Sequence, residues 1–123
     1  PVGFKMPASN AFTGFTSDGK LQSDNDKINA DFPRDFQQYK DNYGHNFWTN
    51  SSKTETIFFP AAGFREAGNG STLSYYSKFG DYWTATPNDN HNGNVMGFDV
   101  NSVHPLYRNI RAFGFAVRPA AEK

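Results

Sequence analysis

The apolar positions come in short runs set between Gly, Asn, Asp and Pro, and no single period holds for long. Val2 to Met6 alternates like a short strand and stops at Pro7. Ser9 is placed to cap a short helix carrying Ala11, Phe12 and Phe15, ended by Gly14 or by Ser17-Asp18-Gly19. Pro33 suits a first helical position, and Phe32, Phe36 and Tyr39 recur at spacings of four and three; a second helix is predicted to Asp41, stopped by Tyr43-Gly44. Strands are predicted at Thr56 to Pro60, Gly63 to Glu66, Thr72 to Tyr76, Asp81 to Thr86, Val95 to Val100 and Phe113 to Arg118. Helices early and strands late imply an α+β domain: two short helices and a small mixed, mainly antiparallel sheet. Long irregular stretches are expected at 16–31 and 87–112.

Composition narrows this picture. Thirteen Phe, six Tyr and two Trp among many Gly, Asn, Ser and Thr suit short strands and loops. A chain of 123 residues is read as one domain, 1–123, with one core. Twelve acidic against twelve basic residues give no field that would draw in nucleic acid or anionic lipid, so neither is an expected partner. The lack of cysteine excludes disulfides, thiolate metal sites and cysteine nucleophiles. No apolar run is long enough for a membrane span, and PVGFKMP lacks a signal-peptide core; the expectation is a carboxy-terminal domain whose targeting signal lies upstream.

Chemistry-bearing motifs are sparse. His45, His91 and His104 fall in no HExxH, paired-His or Ser/His/Asp context, so the expectation is no enzyme. Asp81, Asp89 and Asp99 are carboxylates a hard cation could use, yet no EF-hand loop is present. Asn88, Asp89 and Asn90 form an oxygen-rich run that reads first as a solvated turn and only weakly as a calcium site; no cofactor is expected. The glycines of GFREAGNGS read as hairpin turns, since no Lys-Ser/Thr or helix follows. HPLYRNIRAFGF, residues 104–115, is different in kind. Leu106, Tyr107, Ile110 and Phe113 follow neither a strand period nor a helical one, with Pro105 just before them. They serve either as contact groups or, for Leu106, Ile110 and Phe113, as part of the core.

Three ordered segments, FFPAAGFRE, GDYWTATP and RAFGFAVRP, resemble the motifs of the major paralogous domains of surface proteins in gut-type bacteria. PVGFKMPASNAF is similar to that family's opening strand and first helix. The resemblance covers nearly the whole chain, least so at residues 20–55, and implies a C-type-lectin-like fold. Sugar-binding lectins of that fold carry Glu-Pro-Asn or Gln-Pro-Asp and Trp-Asn-Asp triplets; here stand Thr86-Pro87-Asn88 and Trp83-Thr84-Ala85. Sulfatase activators of the fold use cysteines, which this chain lacks.

A narrower resemblance is to the variable proteins of diversity-generating retroelements, where error-prone reverse transcription rewrites adenines, typically in Asn codons, near the gene's end. Such codons never reach Lys, Glu, Gln, Trp or Met. Between Lys78 and Glu122 there is no Lys, Glu or Gln, and from Asn88 to Phe113 only Met96 lies outside the reachable set. The resemblance implies a diversifiable surface at about residues 84–113, with variable candidates Asn88, Asn90, His91, Asn92, Asn94, Asn101, His104, Leu106, Tyr107, Arg108, Asn109, Ile110 and Phe113. Trp83 belongs to the frame, with Phe98, Val103, Arg111, Gly114, Phe115, Val117 and Arg118, and is also of the residue type that anchors ligands. The implied role is adhesion or receptor recognition of a protein or glycan ligand, outside the cell on a bacterial surface or phage particle. The alternatives are a carbohydrate-recognition module, with or without calcium, and a structural subunit of a surface fibre.

Overall fold

Aromatic and β-branched side chains fit a pleated, half-buried surface, and in this chain that preference prevails over helical spacing. The computed structural model describes residues 2–20, 27–30, 37–39 and 42–121. Its elements are β1 (Phe4–Lys5), a 3-10 turn η1 (Thr13–Phe15), β2 (Gln37–Tyr39), β3 (Asn42–Trp48), β4 (Thr56–Pro60), β5 (Phe64–Glu66), β6 (Asn69–Ser74), β7 (Gly80–Pro87), β8 (Asn92–Phe98), β9 (Val103–Ile110) and β10 (Ala120–Ala121). They pair antiparallel as β1–β10, β2–β3–β4, β5–β6 and β7–β8–β9.

The domain is therefore small and all-β, and the α+β, C-type-lectin-like expectation with two early helices is overturned. After Gly14 the chain is extended by Thr16 (φ −131°, ψ 152°), which bridges to Ile28, so the first expected helix is one 3-10 turn. Within the second, Gln37–Tyr39 pair with Asn42–Gly44 as a hairpin; positions 33–36 and 40–41 lie outside the described residues. Much of the expected loop 87–112 is strands β8 and β9. The strand expected at Phe113 to Arg118 is instead an extended strip making two bridges, Gly114 to Arg65 and Ala116 to Tyr82.

The main core lies between β3–β4 and one face of β7–β8–β9. Phe12, Phe47, Phe59, Tyr82, Met96, Phe98 and Val103 fill it, each burial of this kind stabilising by roughly 1.5–3 kcal/mol. Phe47 stacks on Phe15 at 3.9 Å and meets Phe59 and Phe98 edge-on. Gly80 lies opposite Phe98 in the ladder because the Phe98 ring fills the space a Cβ would need. Arg118 ties the carboxy-terminal strip to this core, donating to the Phe58 carbonyl at 2.7 Å and lying 4.4 Å over the Phe59 ring.

A second aromatic group gathers Phe64, Tyr75, Phe79, Trp83, Phe113 and Phe115, linked by ring contacts of 4.7–5.6 Å. The strip 111–119 runs through it. Gly114 exchanges both backbone hydrogen bonds with Arg65, while Ala116 donates to the Asp81 carbonyl and accepts from the Trp83 amide. The segments FFPAAGFRE, GDYWTATP and RAFGFAVRP are thus joined by main-chain hydrogen bonds.

Candidate functional site

Strand parity sorts the residues of β7–β8–β9. In the ladder Gly80–Phe98–Val103 and Tyr82–Met96 face the core; Asp81–Gly97–His104 and Trp83–Val95–Tyr107 face the other way. Between Val95 and Gly97 the partner strand advances three residues, from Tyr107 to His104, so Pro105 and Leu106 form a bulge. A bulge accommodates Pro105, which has no N–H for the ladder. It also puts His104 and Tyr107 on one face despite their odd separation, with ring centroids 5.2 Å apart.

That face carries a cavity of about 300 Å³. Its floor is Gly97, where a Cβ would come within 2.9 Å of Asp81 Oδ1. Asp81 and His104 stand on the strands either side, about 10 Å apart by strand spacing. Phe64, Phe79 and Tyr107 supply ring walls, and Asn109 and Asp99 complete the lining. Burial pushes the Asp81 carboxyl up to about 6. Among the described residues no lysine or arginine lines the cavity.

The His104 side is held by a chain of hydrogen bonds. Asp99 Oδ1 accepts from the Asn101 and Ser102 amides, both at 2.8 Å, and from Ser102 Oγ at 3.0 Å. With its proton given to Asp99, Ser102 Oγ accepts from His104 Nε2–H at 3.3 Å. His104 Nδ1 is buried with no partner among the described residues. Burial lowers the imidazole's pKa, opposed by the charge of Asp99, so the ring is neutral with Nδ1 as a bare acceptor.

The other sequence candidates fall into separate places. Asn88, Asn90 and His91 lie in the β7–β8 connection, and Asn92 and Asn94 begin β8. Asp89 organises this loop: Oδ1 accepts from the His91 and Asn92 amides at 2.8 and 2.9 Å, and both oxygens accept from the Asn92 side chain. These bonds hold its carboxyl down at about 2. Arg111, in the turn just after β9, braces the loop, donating to the Asp89 carbonyl at 2.7 Å and the Asn92 carbonyl at 3.2 Å. Asn101 is in the β8–β9 turn at the opposite end of the strands, roughly 20 Å from the loop by strand rise. Leu106, Tyr107 and Ile110 are 53%, 47% and 49% exposed, and Arg108 is exposed with them. Phe113 instead packs on Phe64 and Phe115. Trp83 lies against Phe115 and over Gly93, and lines a shallow groove with Met6, Pro87 and Arg111.

The structure thus brings together His104, Tyr107 and Asn109 at the cavity, and leaves Leu106 in the bulge and Arg108 and Ile110 on the opposite face of β9. It adds Phe64, Phe79 and Gly97, which were not among the site candidates, and Asp81, which was weighed only as a carboxylate for a hard cation. Two signals for these stood in the sequence. Asp81 is out of phase with the apolar Tyr82 in DYWTAT, and Gly97 is a glycine inside a strand pattern, a mark of close approach. Among the described residues no group of three His, Cys, Asp or Glu is placed to hold a metal ion, and no helix is long and apolar enough to cross a membrane.

No curated protein and no solved structure matches the chain. A family profile matches residues 37–120, which span β2 to the start of β10 and so include the cavity and all of β9; the chain belongs to this family, described as a domain of unknown function, DUF8237.

Proposed function

We propose that the domain is a ligand-binding module that presents an exchangeable set of side chains on a fixed β framework, as the variable proteins of diversity-generating retroelements do, for adhesion or receptor recognition at a bacterial or phage surface. The observation that carries this reading is the division of β9. Val103 and Pro105 are buried and hold the strand to the sheet, whereas Leu106, Tyr107, Arg108 and Ile110 face solvent. Isolated exposed apolar residues are ordinary; here four contact-type side chains gather along one edge strand. Tyr107 is on the cavity face, Arg108 and Ile110 on the opposite face and Leu106 in the bulge, so the edge offers a partner contact groups on both sides. Tyr and Arg combine large area with a polar end, and a strand already ordered spends little entropy on binding. Arg111 and Asp89 hold the neighbouring loop in the same way.

Two experiments test it. Sequencing the gene's surroundings is expected to find a nearly identical non-coding copy of its last stretch, differing at adenines and beside a reverse transcriptase. Replacing Leu106, Arg108 and Ile110 together by serine is expected to leave the melting temperature within a few degrees and to abolish adhesion to cells that the unaltered domain binds. A collapse of the fold would show that these residues belong to the core, and unchanged adhesion would remove β9 from the contact surface. Chelator-sensitive sugar binding would replace this reading with a calcium-assisted carbohydrate module.

A further inference from the structure

We propose that the cavity over Gly97 seats a protonated amine or guanidinium, the end of a lysine or arginine side chain on a protein partner, with Asp81 as its counter-charge. This rests on the reading of the β9 edge as a ligand-binding one and specifies what its cavity side recognises.

Three features converge. The Asp81 carboxylate lies against the cavity floor, its Oδ1 over Gly97, and no described cation lines the space around it. The walls are the rings of Phe64, Phe79 and Tyr107, whose electron-rich faces attract a desolvated cation. The volume, about 300 Å³, stands at the small end of ligand sites and matches one side chain rather than an oligosaccharide. The wall is also built at a conformational cost: the turn that carries Phe79 holds Tyr75 and Ser77 at φ of 55° and 63°, a region non-glycine residues rarely adopt. Tyr75 stacks on both Phe64 and Phe79, so the strained turn keeps two of the three rings in position.

The test is a titration followed by amide NMR, with n-butylammonium as probe and n-butanol as its uncharged counterpart. The amine is expected to shift the Asp81, Gly97 and His104 amides in a saturable curve, while butanol leaves them in place. Asp81→Asn is expected to weaken the amine at least tenfold, as is Gly97→Ala, which fills the floor; dispersed amide spectra of both variants show that they fold. Equal binding of butanol, full amine affinity in Asp81→Asn, or a methyl galactoside that displaces the amine would each overturn the assignment. The serine triple variant of Leu106, Arg108 and Ile110 separates the two readings, because none of these residues lines the cavity. Amine binding that persists while the triple variant still adheres to cells removes the β9 surface and leaves the cavity. Adhesion lost in the triple variant, with no amine bound by the unaltered chain, removes the cavity alone.

Discussion

At the residue scale, Asp81 and Asp89 are two carboxyls with opposite linkage to pH. Asp81 is raised by burial to about 6, above its unfolded value of about 4. Its contribution to stability is therefore complete below pH 4 and lost as pH rises through 6, a loss of roughly 2–3 kcal/mol at neutral pH. Asp81→Asn is expected to raise the melting temperature at pH 7.5 by several degrees and to leave it nearly unchanged at pH 4; equal shifts at the two pH values would refute this. Asp89 runs the other way. Hydrogen bonds from Asn92 and His91 hold it near 2, so its contribution is present above the unfolded value and lost as pH falls toward 2. The His91 and Asn92 amide resonances are expected to shift below pH 4, and Asp89→Ala should produce the same shift at neutral pH.

At the scale of elements, glycine placement and one bulge determine the site. Because the Phe98 ring occupies the space beside Gly80, Gly80→Ala is expected to cost about 1–3 kcal/mol in urea unfolding. Phe47→Ala, which empties the centre of the core, should cost about 3–5 kcal/mol. Strands whose aromatic and β-branched runs are bounded by turn residues could be read from the sequence: β4 has the expected bounds, and β7 and β5 differ by about a residue. β9 could not, because Pro105 and Leu106 bulge out of the ladder and break its period of two. β3, with Gly44, His45 and Asn46 among its residues, carries too little apolar character to announce itself. The second expected helix rested on aromatic spacing, and Tyr39, one of its three supports, lies in a hairpin strand instead. The cavity was half visible, through His104, Tyr107 and Asn109; its other half depends on β5 and the strained turn coming to the sheet, a long-range contact that no local pattern encodes.

For the whole molecule, the structure separates a buried framework from the exposed residues of β9. Single substitutions at Leu106, Arg108 or Ile110 are expected to move stability by no more than about 0.5 kcal/mol, whereas Val103→Ala and Met96→Ala, both at fully buried positions, should cost about 2 kcal/mol or more. A melting series over these five positions checks the division. The same framework brings the ends of the described chain side by side, since Phe4 pairs with Ala121 and Lys5 with Ala120. In an antiparallel ribbon of that kind, tension applied between the two ends opens the pairs one after another instead of shearing them together. A pull between the termini would therefore meet its weakest mechanical element first, and the β1–β10 ribbon would part at low force while the sheets beneath it stayed folded.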